Sequence, residues 1–136
     1  MQKILLIAVA CFIYLPGFAQ QLSVDTIRWN TIELTDLNTN ETVANEIYFV
    51  SQGNHSVKWV QNGGQVQIEF SVTSVEGQWP DAALPGTLTF QITDGTATGS
   101  LKFTKSSQNE VFVELHLRGT TSGIDMRYKI NSYSKL

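Results

Sequence analysis

From residue 20 onwards, apolar and polar side chains alternate along the chain with a period of two. In the run 66–73, Val, Ile, Phe and Val alternate with Gln, Glu, Ser and Thr. This alternation is typical of antiparallel strands with one face in the core and one in water. Similar runs cover 88–93, 111–118 and 124–131, and no useful stretch has the period of a helix. The pattern predicts an all-β domain of about eight strands joined by short hairpins.

Asp94-Gly95 predicts one of these hairpins, because a two-residue type I′ loop needs positive φ at both positions. This loop would place Phe90 opposite Gly99 and Leu88 opposite Leu101. Apolar residues then face each other, and the glycine would leave room for the Phe90 ring. A slip of one residue would move the apolar side chains to opposite faces of the sheet.

Asn62-Gly63 predicts a second hairpin for the same reason. It would place Trp59 opposite Val66 and Val57 opposite Ile68, again with apolar residues facing each other. Using the next dipeptide as the loop would break this pattern, so the register with Asn62-Gly63 is preferred.

Thr120-Thr121, or a longer loop with the same register, predicts a third hairpin. It would place His116 opposite Asp125 and Glu114 opposite Arg127. Side chains of opposite charge that face each other across two strands stabilise the pair, which favours this register.

The first strand, about 23–35, changes its apolar parity between Trp29 and Ile32, which predicts a bulge near Asn30-Thr31. A meander of eight strands leaves two unpaired edges unless it closes. Closure gives an up-and-down barrel whose interior is filled or holds one small ligand. The alternative is a two-sheet β-sandwich, which the same strand pattern allows.

The predicted barrel resembles the lipocalin-like, or calycin, barrels over residues 20–136, at the level of architecture. The Gly-x-Trp motif usual near the first strand of that family is not clearly present, because Trp29 follows Ile27 and Arg28. No binding residue is therefore carried over from the family.

Residues 1–19 have the features of a secretory signal peptide: a charged start at Lys3, an apolar run from Ile4 to Leu15, and small residues near a cleavage point after Ala19. The apolar run is shorter than the roughly 20 residues that span a bilayer. We therefore expect a single exported domain, 20–136, without a transmembrane segment, in the periplasm or outside the cell.

Cys11 is the only cysteine and lies in the predicted signal peptide, so the mature domain would have no disulfide and no thiolate site. An exported domain without cysteine is more typical of bacteria than of small secreted animal proteins. Ala8-Val9-Ala10-Cys11 loosely resembles a lipobox, but the apolar run continues past the cysteine. Lipid anchoring is therefore not expected.

Charge excludes further classes of partner. Without Lys3, eight basic residues remain against twelve acidic ones, a formal net charge of −4, and they are scattered along the chain. Nucleic-acid binding requires clustered Lys and Arg, so no nucleic-acid partner is expected. The same scatter gives no support for binding to an anionic membrane surface.

A catalytic hypothesis rests on His116, with Asp125 on one side and Thr98 or Ser100 on the other. A hydroxyl, an imidazole and a carboxylate in this order could form a nucleophilic triad. A flat sheet face offers no oxyanion hole, however, so cross-strand polar pairing is the preferred interpretation. We expect no catalytic residue, no metal site and no cofactor, since His55 is the only other histidine.

The segment 76–86 is the longest connection and contains two prolines and Trp79. This tryptophan could form a lid over one mouth of the barrel, or it could plug that end, which is the preferred interpretation.

The pattern is compatible with three functions. The first is a non-catalytic secreted barrel that binds a small apolar or amphipathic ligand inside. The second is an envelope or surface interaction domain with a filled core, for which no protein partner can be named. The third is a hydrolase that uses the His116 row. The candidate ligand-binding residues are the aromatic side chains expected inside the barrel or over its end: Trp29, Phe49, Trp59, Phe70, Trp79, Phe90, Phe103 and Tyr128.

Overall fold

The computed structural model describes residues 21–119 and 123–136. The predicted signal peptide, 1–19, and the predicted Thr120-Thr121 loop lie outside these residues.

Nine strands form in the described part of the chain, and eight of them close into one antiparallel barrel. Closure comes from the first strand, which pairs with the third on one side and the ninth on the other. The barrel is an up-and-down meander with lipocalin-like architecture, so the sandwich alternative is wrong. The strands are β1 Thr26–Asp36, β2 Thr42–Ala44, β3 Tyr48–Gln52, β4 Ser56–Gln61, β5 Val66–Glu76, β6 Gly86–Thr93, β7 Thr98–Lys105, β8 Val111–Arg118 and β9 Gly123–Lys135.

The barrel has two different ends. We call the end at which β1, β4 and β6 finish the open end, and the end at which β3, β5 and β7 finish the closed end. The closed end is filled by Leu22, Trp79 and Ala82, which are all buried. The short β2 was not predicted; it pairs only with the last part of β1, and its side chains are exposed.

The β6–β7 hairpin has the predicted facing of side chains, but its register is wrong by two residues. Phe90 lies opposite Leu101, and the loop contains four residues, 94–97. The cause is the Asp94 carboxylate, because its Oδ1 accepts the backbone N–H of both Thr96 and Ala97, at 2.8 and 2.7 Å. These two residues are therefore held in the turn instead of extending the strand.

Gly99 consequently has a different role from the one predicted. It lies opposite Ile92 instead of Phe90, and on its other side it pairs with Leu117. A Cβ atom at this position would overlap the backbone carbonyl of His116. The glycine thus permits the close approach of β8, and it does not make room for a ring.

The β4–β5 hairpin shows the same two-residue error. Trp59 lies opposite Ile68, and the loop again contains four residues, 62–65. Three successive residues have positive φ, at 52°, 64° and 95° for Asn62, Gly63 and Gly64. The turn is closed by the Gln65 N–H, which donates to the Asn62 carbonyl at 3.2 Å. Gly64, which the predicted two-residue loop would place in β5, instead belongs to the turn and lengthens it.

The β8–β9 register is confirmed, with His116 opposite Asp125 and Glu114 opposite Arg127.

The predicted bulge in β1 near Asn30-Thr31 is confirmed, and it has a counterpart in β9. Asn30 lies opposite Ser132 and Thr31 opposite Ile130, so Asn131 is an extra residue in β9. Glu33 then lies opposite Lys129, so Ile32 is an extra residue in β1. The two insertions cancel, and the same register holds on both sides of them.

Candidate functional site

All eight predicted aromatic residues lie in one buried cluster inside the barrel or at its closed end. Seven of the eight rings, all but that of Phe70, pack against another ring of the cluster. The ring centroids of Trp29 and Phe103 are 5.1 Å apart, and those of Phe49 and Tyr128 are also 5.1 Å apart. The strand pattern therefore brings together the residues that it predicted to face inward.

The centre of this cluster is filled with side chains. Five of the aromatic residues have no accessible surface at all, so there is no room for a water molecule against them, and still less for a ligand. A molecule that binds inside this barrel has to bind nearer to one of its ends. These five residues are Trp29, Phe49, Phe70, Phe90 and Phe103.

Trp79 plugs the closed end. Its side chain is 3% exposed and packs against Trp29, with ring centroids 5.9 Å apart. Its indole Nε1 donates to the Leu84 carbonyl at 2.8 Å, which fixes the ring within its own loop. Gly86 lies directly under the ring, where any side chain would overlap it. This geometry favours the plug over a lid.

A buried lysine completes the closed end. Lys105 is 9% exposed, and its Nζ donates to the Ala82 carbonyl at 3.2 Å and to the Tyr133 hydroxyl at 2.9 Å. The Tyr133 hydroxyl in turn donates to the same Ala82 carbonyl at 2.9 Å. Polar atoms at this end therefore have partners within the protein.

The open end is lined by apolar side chains that are only partly buried. They come from three strands and one hairpin loop, and they point to the same side of the barrel wall as the core residues: Leu34, Ile68, Val72, Ala97, Ile124 and Met126. Strand alternation signals most of them, but their incomplete burial was not predictable from it. The result is a shallow apolar mouth above a solid core.

Trp59 lies at the boundary between this mouth and the core. It stands opposite half-buried Ile68, and its ring packs near Phe49 and Tyr128, each with a centroid distance of 6.4 Å. It is 8% exposed, more than any other of the eight predicted aromatic residues.

The indole N–H of Trp59 is buried and has no hydrogen-bond partner within the described residues. The other two tryptophans differ, because Trp29 Nε1 donates to Ser51 Oγ at 2.9 Å and Trp79 Nε1 to the Leu84 carbonyl. Buried indole N–H groups usually have an acceptor.

The neighbouring Tyr128 hydroxyl is also poorly matched. It reaches only the Met126 sulfur, at 3.8 Å. Burial raises the pKa of Tyr128 above its ordinary value of 10.0, so the phenol stays protonated and can donate. Two buried donors, one of them unmatched, therefore lie beneath the half-buried residues of the open end.

The His116 row forms on the outer face as the register predicts. Ser100, His116 and Asp125 lie side by side on β7, β8 and β9. His116 Nδ1 lies 2.7 Å from Asp125 Oδ1, while its Nε2 faces Glu114 at 3.7 Å. No hydrogen bond joins Ser100 to His116 within 21–119 and 123–136.

Asp125 is also held by other groups. Arg118 Nη2 donates to the same Oδ1 at 2.8 Å, and Asn38 Nδ2 approaches Oδ2 at 3.5 Å. The hydrogen bond from His116, followed by that from Arg118, lowers the pKa of Asp125 to about 2. This network ties β9 to β8 and to the segment after β1.

Metal-ligating side chains do not cluster in the described residues, where no group of three or more His, Cys, Asp or Glu could hold an ion. The same part of the chain contains no helix long and apolar enough to cross a membrane.

No protein-family model matches the chain, and neither a curated protein nor a solved structure matches it.

Proposed function

We propose that this protein is a non-catalytic barrel that binds the apolar end of a small amphipathic molecule at its open end. The observation that carries the proposal is the buried Trp59 indole N–H without an acceptor. A buried donor that lacks a partner costs about 1–3 kcal/mol, so a ligand that supplies an acceptor there would recover this free energy.

The mouth supplies two kinds of contact for such a ligand. Half-buried Leu34, Ile68 and Met126 offer apolar surface that a hydrocarbon chain could cover. Below them, the buried Trp59 N–H and the Tyr128 hydroxyl would be reached by a carbonyl, hydroxyl or ether oxygen once the ligand displaces the half-buried side chains above. The filled centre limits depth, so one end of the ligand would be held while the remainder stays outside.

The export predicted from residues 1–19 would place this activity in the periplasm or outside the cell. A cysteine-free barrel with a solid core suits that setting, because strand pairing and packing alone would stabilise it.

An interaction domain is the second candidate, and the lack of accessible surface on the five central rings favours it. A barrel with nothing to hold inside would act through its outer face. The two candidates differ in one respect that can be measured, which is whether anything reaches Trp59.

The test follows the indole N–H resonances of isotope-labelled protein by NMR during titration with 2-octanone. This probe has one carbonyl acceptor and an apolar tail. We expect the Trp59 resonance to shift, while those of Trp29 and Trp79 stay in place because their acceptors lie within the protein. Acetone, with the same acceptor but no tail, is the matched control and should have little effect.

Trp59→Phe keeps an aromatic ring and removes the N–H. We expect it to weaken 2-octanone binding by about tenfold, the equivalent of one hydrogen bond. An unchanged Trp59 resonance up to the solubility limit of the ketone would refute the proposal and favour the interaction domain.

A further inference from the structure

A groove of about 450 Å³ lies on the outer wall of the barrel, where β1 changes partner. Its walls come from β9, β1, β3 and the end of β4. The groove shares no lining residue with the half-buried apolar set at the open end, so a ligand could bind in it whether or not the open end binds one. Six of its lining residues matter for recognition: Arg28, Ile32, Glu46, Tyr48, Asn131 and Ser132.

Backbone geometry forms the groove. The two inserted residues, Ile32 and Asn131, both line it. At the same place β1 leaves β3 and joins β2, and Thr31 bridges the change through hydrogen bonds with Ile47. Bulges of this kind redirect side chains and are common next to functional sites.

Arg28 is held in this groove by neutral groups. Its Nε donates to Asn30 Oδ1 at 2.9 Å, and its guanidinium carbon lies 3.8 Å from the centroid of the Tyr48 ring. Its two terminal nitrogens make no hydrogen bond or ion pair with any described residue. A guanidinium fixed in this way presents a planar pair of donors that matches a carboxylate.

Other polar groups of the groove are also free to bind. Asn30 Nδ2 donates to Ser132 Oγ at 3.0 Å, which leaves the Ser132 hydroxyl proton available. Across the described residues, the side chains of Glu46 and Asn131 have no hydrogen-bond partner. Ile32, which is 45% exposed, adds a small apolar surface.

We propose that this groove binds a sugar acid. The carboxylate of the sugar acid would pair with Arg28, and its hydroxyls would donate to Glu46 and exchange hydrogen bonds with Asn131 and Ser132. The combination of groups in the groove favours this class of ligand. Arg28, the single fixed cation, matches one carboxylate, while Glu46 and the uncharged groups around it match several hydroxyls. The groove volume lies within the range typical of small-molecule sites.

The test is an NMR titration of the isotope-labelled protein with D-glucuronate, D-glucose, acetate and inorganic phosphate. We expect saturable backbone shifts at Arg28, Tyr48 and Asn131 with glucuronate. Glucose lacks the carboxylate and acetate lacks the hydroxyls, so each should bind at least about tenfold more weakly.

Arg28→Gln should weaken glucuronate binding at least about tenfold, and Arg28→Lys should do so less, since it keeps the charge but loses the fork. Arg127→Gln is the matched control, because Arg127 also lies over an aromatic ring, that of Phe112 at 5.1 Å, but outside the groove. It should bind glucuronate like the original protein.

Three outcomes would overturn the proposal. They are the absence of saturable shifts with glucuronate, equal losses in Arg28→Gln and Arg127→Gln, and equal binding of phosphate, which would make the groove a general anion site. Thermal unfolding of each variant shows whether it is folded. If Arg28→Gln does not fold, the binding measurement on Arg28→Lys still tests the proposal.

Discussion

Trp79 and Trp59 are the same residue type at opposite ends of one barrel, and their surroundings differ in every respect that matters for binding. At the closed end the indole N–H has an acceptor at 2.8 Å and the side chain is only 3% exposed. At the open end the indole N–H has none, and the apolar neighbours are half exposed. The closed end therefore has its hydrogen bonds and packing complete, while at the open end the Trp59 N–H lacks a hydrogen bond that a ligand could supply.

The largest effect on stability is expected from a substitution at the closed end. Trp79→Ala removes a fully packed ring and should lower the free energy of unfolding by about 3–5 kcal/mol. Ile68→Ala at the open end should cost less than half as much, because its side chain is only partly buried. Urea denaturation followed by circular dichroism measures both. Equal losses would mean that the two ends are packed alike.

A smaller effect separates the two indole N–H groups. Trp79→Phe and Trp59→Phe remove similar volumes, but only the first breaks a hydrogen bond and leaves the Leu84 carbonyl without its indole donor. We expect Trp79→Phe to be less stable than Trp59→Phe by about 1–3 kcal/mol. The same denaturation experiment tests this, and a reversed order would contradict the comparison.

The smallest effect concerns the Asp125 network on the outer face. Its pKa is lowered from 3.8 to about 2, so its contribution to stability is present above pH 4 and is lost as the pH falls towards 2. Asp125→Asn should therefore flatten the loss of stability between pH 4 and 2. Melting temperatures across this range measure the slope.

The control for this measurement is Glu33→Gln, which removes an exposed carboxylate on β1. It should keep the slope of the original protein. If Asp125→Asn has that same slope, the hydrogen bonds from His116 and Arg118 do not contribute to acid stability.

Strand parity was readable from the sequence because each strand has one apolar face, and closure followed from the need to pair both edges. Register was readable at β8–β9, where opposite charges fix it. The predicted register was wrong by two residues at two hairpins. Gly64 lengthens the β4–β5 turn, and the Asp94 carboxylate lengthens the β6–β7 turn. The alternation of apolar and polar residues does not reveal such an error, because a register shift of two residues leaves every side chain on the same face of the sheet.

The candidate sites were less readable. The eight aromatic residues lie together as predicted, but whether they leave a cavity depends on how their volumes fill the barrel. The missing acceptor of Trp59 depends on distances between four strands, and the groove at Arg28 depends on two insertions 99 residues apart, of which only the one in β1 was visible. These are properties of three-dimensional packing that no local pattern encodes.

The insertions at Ile32 and Asn131 also determine how the length of this wall can change. Each adds one residue to one strand, so removing either residue would restore regular alternation in its own strand and leave Leu34 opposite Tyr128. Removing both would give an uninterrupted ladder and erase the groove. Each strand can therefore lose its extra residue independently, whereas the groove exists only as long as both insertions are kept.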